Sequence, residues 1–236
     1  MVEKRKKVIA GMFNDLAQVY DLGNHLLSLG LDFLWRKRLA VELAKYRPES
    51  VLDLACGTAD LAIAINKRNP EACIVGIDLA EKMLEVGARK ILGRGLADKI
   101  LLTAGDIEQM PFAEQSFSAA TIAFGIRNVE QRAEGLSEIF RVLKPGGVFA
   151  VLEFSMPQKG LFSRFYDVYL GRLLPLIGKI LSGEQSYFYL RDTIREFPNP
   201  AAFVNELKAA GFLVSTTIPL ARGAVCLYIA QKSDPA

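Results

Sequence analysis

Short apolar runs alternate with segments of helical periodicity from about residue 50 onward. This alternation predicts an α/β fold with a largely parallel sheet, because the connecting helices cover both faces of such a sheet and leave its strands apolar. Seven apolar runs predict strands at residues 50–55, 72–78, 100–104, 117–124, 148–154, 213–219 and 224–230. Four segments with apolar positions three and four residues apart predict helices at residues 60–69, 80–92, 131–143 and 200–210.

Turn residues divide these elements. Lys144-Pro-Gly-Gly147 predicts a turn between the third of these helices and the fifth strand, and Gly211 predicts the end of the last helix. The segment Ala221–Gly223 joins the last two strands, which predicts a hairpin. We therefore expect a Rossmann-like α/β sheet of about seven strands, mostly parallel with a C-terminal antiparallel hairpin. This architecture is typical of class I methyltransferases.

The chain is expected to form a single domain, because domains usually contain roughly 100–200 residues and no repeat divides these 236 residues. Four parts of domain 1–236 are predicted: a helical N-terminal cap at 1–48, a cofactor-binding core at 49–154, a helical insertion at 155–198 that faces substrate or lipid, and a C-terminal helix with a strand hairpin at 199–236. Within the insertion, residues 161–181 carry a narrow polar stripe on an otherwise apolar helical surface.

Two kinds of partner fit the apolar surface of residues 161–181 equally well. A polyprenyl chain or the membrane interface would cover it from outside. The sheet, or a second copy of the chain in a homo-oligomer, would cover it with protein. The pattern leaves both interpretations open.

Composition narrows the function classes. Hydrophobic residues make up 51% and charged residues 23%, which is typical of a packed globular protein. A net charge of +3 is too small to indicate a nucleic-acid partner, which normally shows a dense basic patch, so none is expected. Three scattered cysteines and a single histidine, His25, predict neither a disulfide framework nor a metal site. We expect a cytoplasmic protein without a signal peptide or membrane span, compatible with a peripheral contact at the inner face of the membrane.

The loop after the first strand holds an acidic residue in an apolar setting. Asp53 lies inside the strand, where a carboxylate needs either backbone N–H donors or a cationic ligand group. The small residues that follow it, Ala55 to Ala59, allow a ligand to approach the backbone. Gly57 is the only glycine there, which disfavours the G-x-G-x-x-G fingerprint of a nicotinamide dehydrogenase.

Two further acidic residues follow the next two strands. Asp78 is placed to accept hydrogen bonds from ribose hydroxyls, and Asp106, followed by Ile107, is placed to contact an adenine ring. Each carboxylate taken alone is explained equally well as a cap for the next helix. Their spacing in register with three successive strands favours a cationic nucleoside without phosphates, and S-adenosylmethionine is such a ligand.

Motifs along nearly the whole chain give a more specific identification. Phe124-Gly-Ile-Arg-Asn128 follows the fourth strand, and Tyr187-Phe-Tyr-Leu190 precedes Ile194-Arg-Glu-Phe-Pro198. Near the start, Tyr20-Asp-Leu-Gly-Asn24 leads to Leu34-Trp-Arg36. In these motifs the chain resembles the ubiquinone/menaquinone biosynthesis C-methyltransferase family, and most closely its demethylmenaquinone methyltransferases.

The resemblance implies S-adenosylmethionine-dependent methylation of a ring carbon of a prenylated quinol, demethylmenaquinol. The residues expected at the cofactor are Asp53, Ala55, Gly57, Thr58, Asp78, Leu79, Asp106, Ile107 and Ala123. The residues expected at the quinol are Tyr20, Asn24, Tyr187 and Tyr189, with Arg127 and Asn128 as the catalytic pair. The chain departs from the usual family residues at Ala59, Asp106 and Tyr228. Of these, Ala59 resists a positive φ, and Tyr228 is expected to alter the substrate side.

Methylation at a ring carbon requires a phenolate that pushes electron density onto that carbon. Arg127 would stabilise the phenolate as a fixed positive charge, with Asn128 orienting a hydroxyl or a water, since a guanidinium is a poor general base. Water or Asp21 would take the proton, and His25 is a weaker candidate. Two other functions stay open: methylation of a different phenolic or lipid acceptor, and a cofactor-binding assembly protein without turnover.

Overall fold

The computed structural model describes residues 6–157, 166, 171 and 184–233. Its helices are α1 (Lys6–Leu16), α2 (Tyr20–Leu27), α3 (Leu31–Ala44), α4 (Asp60–Arg68), α5 (Glu81–Leu92), α6 (Arg132–Val142), α7 (Glu184–Glu196) and α8 (Pro200–Ala209). Its strands are β1 (Ser50–Leu54), β2 (Cys73–Asp78), β3 (Ile100–Ala104), β4 (Phe117–Ala123), β5 (Leu143–Phe154), β6 (Phe212–Leu220) and β7 (Val225–Lys232). Short 3-10 turns lie at Ile126–Asn128 and Ala221–Gly223.

All seven strands form one sheet in the order β3-β2-β1-β4-β5-β7-β6. The first five positions are parallel, whereas β7 is antiparallel to both β5 and β6. The predicted fold class is therefore confirmed, including the C-terminal hairpin. The strand order reverses between β1 and β4, and ligands of open α/β sheets bind beyond the carboxyl ends of the strands at such a switch point.

Two apolar layers cover the sheet. On one face α3, α4 and α5 pack through buried side chains that include Leu39, Ile65 and Ile91. On the other face α6 and α8 contribute Ile139 and Phe203. Because helices cover both faces of the sheet, the strand interiors are continuous apolar runs in the sequence. Helices α1 to α3 precede the sheet as the predicted N-terminal cap.

The Lys144–Gly147 segment differs from its prediction as a turn ahead of the strand. β5 begins earlier, at Leu143, and includes this segment. The register against β4 shifts between Phe117 and Ala119, because Lys144–Gly147 is accommodated as an irregularity within the strand. Gly146 allows it with a φ of 71°.

Part of the predicted insertion lies outside the described residues. This applies to most of the apolar stretch 161–181 and to the side chain of Tyr187, whose backbone belongs to α7. Within the described ranges, no helix combines the length and the apolarity needed to cross a membrane.

Candidate active site

Three adjoining cavities open at the carboxyl ends of the strands. The loop cavity, about 330 Å³, lies along the β1–α4 loop. The strand-end cavity, about 740 Å³, lies at the ends of β2, β3 and β4. The cap cavity, about 1090 Å³, lies between the N-terminal cap and the Ile126–Asn128 turn. Tyr20 lines all three cavities, so it marks the place where they meet.

Asp78 sits in the wall of the strand-end cavity in a fixed orientation. Its Oδ2 accepts a hydrogen bond from the backbone N–H of Gly57 at 2.8 Å, and its Oδ1 accepts one from the N–H of Ala80 at 2.8 Å. Burial raises the pKa of the Asp78 carboxyl. Each oxygen keeps a further lone pair, so the side chain can accept the two hydroxyls of a ribose without moving. Leu79 and Ile107 line the same cavity.

Asp106 carries a contact that the sequence did not predict. Its Oδ2 lies 2.6 Å from Lys6 Nζ, and the same ammonium lies 2.7 Å from Glu108 Oε2. Hydrogen bonds from Lys6 to Asp106 and Glu108 raise the pKa of Lys6. Helix α1 is thereby tied to the wall of the strand-end cavity. No signal in the sequence joins two residues 100 positions apart.

Asp53 lines the loop cavity and has a buried carboxylate. Its Oδ1 accepts a hydrogen bond from Thr121 Oγ1 at 2.8 Å, whereas its Oδ2 has no hydrogen-bond partner among the described residues. The side chain is 1% exposed, and burial raises the pKa of its carboxyl to about 7. A buried carboxylate oxygen without a donor is costly. A cationic ligand group would supply the missing partner, which fits the ammonium group of S-adenosylmethionine.

The backbone around this site adopts strained conformations. Ala55, Ala59 and Phe124 have φ values of 48°, 65° and 60°. A side chain in the left-handed region costs roughly 1–2 kcal/mol, and such residues cluster at functional sites. Ala59 therefore adopts the positive φ that glycine would adopt at lower cost, and the turn into α4 is preserved. Ala55, Gly57 and Ala123 line both the loop cavity and the strand-end cavity.

Thr58 and Asp21 form a polar cluster with Lys90. Thr58 Oγ1 donates to Asp21 Oδ1 at 2.6 Å, and Lys90 Nζ lies 2.9 Å from Asp21 Oδ2 and also contacts Asp60. The cluster ties α2 to the β1–α4 loop. Asp21 lines none of the three cavities. The structure therefore does not bring it to the cap cavity as the base that the sequence had suggested.

Arg127 lies in the wall of the cap cavity in a buried ion pair. Its guanidinium is 2.8 Å from Glu153 Oε1, also donates to the carbonyl of Phe124, and stands 5.3 Å from the Phe154 ring centre. Glu153 Oε2 accepts from the Arg127 backbone N–H at 3.2 Å. Arg127 Nε has no hydrogen-bond partner within the described part of the chain. The expected positive charge is therefore present, but a fully buried carboxylate balances it.

Asn128 and Tyr189 are joined across the next wall. Tyr189 Oη donates to Asn128 Oδ1 at 3.1 Å, and burial raises the pKa of Tyr189 to about 12, so the phenol stays protonated. Asn128 lines the strand-end cavity, whereas Tyr189 and Asn24 line the cap cavity. Tyr166, from within the insertion, also lines the cap cavity.

Two candidates from the sequence lie away from the cavities. His25 Nδ1 is 2.8 Å from Asp32 Oδ2, and its ring stacks on Phe33 with 4.1 Å between centres. Tyr228 is 1% exposed and packs against Phe203 in the core, 5.0 Å between ring centres. Its strand position points Tyr228 at α8, and among the three cavities it lines none, so any effect on the substrate side stays a prediction.

Sequence reasoning missed Glu153 and Arg36. Glu153 shows the signal that revealed Asp53, a carboxylate inside an apolar strand. Arg36 is a cap residue that lines both the cap cavity and the loop cavity. Among the residues that the structure describes, no group of three His, Cys, Asp or Glu is arranged to hold a metal ion.

Known proteins resemble this chain over nearly its whole length. The ubiE/COQ5 methyltransferase family matches residues 1–232. A ubiquinone/menaquinone biosynthesis C-methyltransferase UbiE from Geotalea daltonii is 41% identical over 98% of this chain and 99% of its own. A demethylmenaquinone methyltransferase from Thermus thermophilus is 43% identical over 94% of this chain and 100% of its own.

Solved structures share the fold at lower identity. A SAM-dependent methyltransferase from Thermotoga maritima, described as a possible histamine N-methyltransferase, superposes with a TM-score of 0.65 at 17% identity, covering 94% of this chain and 100% of its own. A SAM-dependent methyltransferase from Aquifex aeolicus gives a TM-score of 0.57 at 16% identity, covering 78% of this chain and 82% of its own. At such identity these likenesses concern the fold alone.

Proposed function

The chain belongs to the ubiE/COQ5 methyltransferase family and is an S-adenosylmethionine-dependent C-methyltransferase of quinone biosynthesis, and we propose that its acceptor is the prenylated naphthoquinol demethylmenaquinol. The cap cavity carries this proposal. It is large, about 1090 Å³, and its walls are mainly apolar, with a few polar groups such as Arg127 and Tyr189. A polar quinol head and an apolar tail require that combination.

The three cavities divide the two substrates between them. S-adenosylmethionine supplies an electrophilic methyl group on a sulfonium when it is bound. Asp78 would hold its ribose, Asp106 and Ile107 would border its adenine, and Asp53 would face its ammonium group. The methyl group and the quinol ring would then lie in adjoining cavities that meet at Tyr20. Holding both reactants in this way supplies much of the rate enhancement in group transfer.

Arg127 would act on the quinol oxygen as a donor. A guanidinium keeps its proton at all physiological pH values, so it stabilises a phenolate and does not remove its proton. Glu153 holds the guanidinium by an ion pair at 2.8 Å and fixes the backbone N–H of Arg127 as well. Tyr189 and Asn128 form a second donor–acceptor pair beside it. In this arrangement the phenolic proton leaves to water.

The acceptor is tested by varying the tail and the ring. We expect kcat/KM for demethylmenaquinol with a long prenyl tail to exceed that for tail-less 1,4-naphthalenediol by at least about 100-fold. Each buried methylene contributes about 0.8 kcal/mol. The binding free energy from burying even one isoprene unit in the cap cavity would therefore be enough for more than this ratio. Transfer of radiolabelled methyl from S-adenosylmethionine measures both rates. A demethylated benzoquinol with the same tail is the matched control for the ring.

Three results would contradict the proposal. Equal rates with and without the tail would indicate a small phenolic acceptor. A preference for the benzoquinol would move the assignment to the ubiquinone branch. Binding of S-adenosylmethionine without transfer to any of these acceptors would favour an assembly protein without turnover.

We also propose that the cap makes a peripheral contact with the membrane in which such quinols dissolve. Helices α2 and α3 and the turn between them expose a cap patch of large apolar side chains: Leu22, Leu26, Leu29, Leu31, Phe33 and Leu34. Leu29 is 87% exposed. Both helices line the cap cavity through their other faces, so the cap patch lies beside the route to the acceptor site. Exposed apolar clusters of this kind mark interaction surfaces.

A Leu26→Asp/Phe33→Asp variant tests this contact by co-sedimentation with neutral and anionic vesicles. We expect the wild-type protein to sediment and the variant to lose at least half of its vesicle-bound fraction, because two apolar anchors become charged. Leu92→Asp is the control: Leu92 is 72% exposed but ends α5, outside α2 and α3. No sedimentation of the wild type, or equal losses in both variants, would refute the contact.

A further inference from the structure

Arg36 is a buried cation with donors to spare. It lies in helix α3 and is 8% exposed. One guanidinium nitrogen donates to Asp32, and the group stands 5.5 Å from the centre of the Phe124 ring. Within the described ranges, the bond to Asp32 accounts for one of its five N–H donors. Since Arg36 lines the loop cavity, the remaining donors are available to a ligand there.

Opposite charge stands across the same cavity. Asp53 also lines it, and its buried Oδ2 has no hydrogen-bond partner among the described residues. The other carboxylates nearby are committed: Asp60 pairs with Lys90, and Asp78 accepts from two backbone N–H groups. Among the described residues that line the loop cavity, Arg36 is the only cationic side chain. The cavity thus offers one positive and one negative group to whatever occupies it.

The N-terminus of α4 adds a second preference for an anion. Asp60 and Leu61 of its first turn line the loop cavity, and its N-cap residue, Ala59, makes no side-chain hydrogen bond to the first-turn N–H groups. Helix N-termini favour negative charge through these N–H groups and the helix dipole. The loop cavity therefore suits a carboxylate and an ammonium together, the charge pattern of a zwitterionic amino acid.

We propose that Arg36 binds the α-carboxylate of S-adenosylmethionine in the loop cavity, while Asp53 binds its α-ammonium. This assignment rests on the proposed function and adds a residue of the N-terminal cap to the cofactor site. The loop cavity and the strand-end cavity share the lining residues Ala55, Gly57 and Ala123. A ligand whose nucleoside lies in the strand-end cavity would therefore extend its amino-acid end into the loop cavity. The cofactor then joins the cap to the sheet.

The alternative use of Arg36 is at the acceptor, because it also lines the cap cavity. The cofactor assignment is favoured by the opposing Asp53 and by the N-terminus of α4, neither of which lines the cap cavity. On the side of the cap cavity, Asp32 already accepts a hydrogen bond from Arg36 and balances its charge.

The test compares two ligands that differ by the amino-acid end. S-adenosylhomocysteine carries the zwitterion and 5′-methylthioadenosine lacks it. We expect Arg36→Met to weaken binding of S-adenosylhomocysteine by about 10- to 100-fold, as befits the loss of a charge-assisted bidentate contact. Binding of 5′-methylthioadenosine should change by less than about threefold. Calorimetry on the full chain measures both, and Arg36→Lys should recover part of the loss.

Arg38→Met is the matched control, because Arg38 lies on the same helix and pairs with Glu42 at the surface, 3.0 Å apart. It should leave both affinities unchanged. Equal weakening of both ligands by Arg36→Met would reveal a structural role and overturn the assignment. So would unchanged affinities accompanied by a raised KM for the quinol. If the wild-type protein binds neither ligand, the proposed function fails instead.

Discussion

Replacing Arg127 by methionine is expected to lower kcat at least about 100-fold, the loss typical of removing one donor to a developing oxyanion. It should also destabilise the fold by roughly 3–5 kcal/mol, because it leaves Glu153 as an unpaired buried charge. Both partners are buried: their side chains are 5% and 0% exposed. Methionine keeps the apolar length of arginine beside Phe154. Steady-state methyl transfer and urea unfolding measure the two effects separately.

A second variant separates catalysis from folding. In Arg127→Met/Glu153→Gln no charge stays buried, so much of the lost stability should return while turnover stays low. Arg132→Met is the control for losing an ion pair as such: Arg132 pairs with Glu206 at 2.6 Å in a partly exposed site, where such a pair contributes at most about 1 kcal/mol. Turnover of Arg127→Met within a few-fold of wild type would refute the catalytic role.

Replacing Asp53 by asparagine should make the protein more stable at pH 8 and weaken its binding of S-adenosylmethionine by at least about 30-fold. Burial raises the pKa of Asp53 to about 7 in the folded protein, against about 3.9 in an unfolded chain. The folded state therefore holds more protons between these values, and the free energy of unfolding falls as pH rises from about 4 to 7. Above pH 7 the full loss in the free energy of unfolding persists, on the order of 4 kcal/mol.

Urea unfolding at pH 5 and pH 8, with calorimetry at pH 8, tests this prediction. Asp53→Asn should remove most of the pH slope, and its amide oxygen can still accept the bond from Thr121. Exposed Asp98→Asn is the matched control and should alter neither quantity. An Asp53→Asn protein that binds the cofactor like wild type would exclude the carboxylate from the site. An unchanged pH slope would mean that Asp53 is not the buried titrating group.

The fold could be predicted from the sequence because the apolar runs and the turn residues that determine it are local features of the chain. Apolar runs marked each of the seven strands, and turn residues marked the hairpin at Ala221–Gly223. The Lys144–Gly147 segment was misassigned for a physical reason. Proline and glycine signal a turn whether the chain reverses or only loops out of a continuing strand, and the pairing of Leu143 with Phe117 decides between the two.

The sequence indicated those candidate site residues whose position depends on a single strand. Asp53, Asp78 and Asp106 were recognised because each lies in or just after the carboxyl-terminal end of a strand, and parallel strands bring these ends to one edge. Glu153 carried the same signal and was overlooked. Arg36 was not recognisable, because helical periodicity gives the faces of α3 without showing which face meets the β1–α4 loop.

The position of β7 has a consequence for how the chain is made. This strand is synthesised after the other six, yet it lies inside the sheet and pairs with β5 along Val148–Phe154 and with β6 along its other edge. A nascent chain that has not reached residue 225 leaves β5, and with it Glu153, on an open edge. The backbone of Glu153, whose side chain pairs with Arg127, therefore gains its ladder partner Cys226 only after β7 has been synthesised and has paired with β5. The pocket wall around Arg127 is thus expected to form only once both ends of this long-range strand pairing are present.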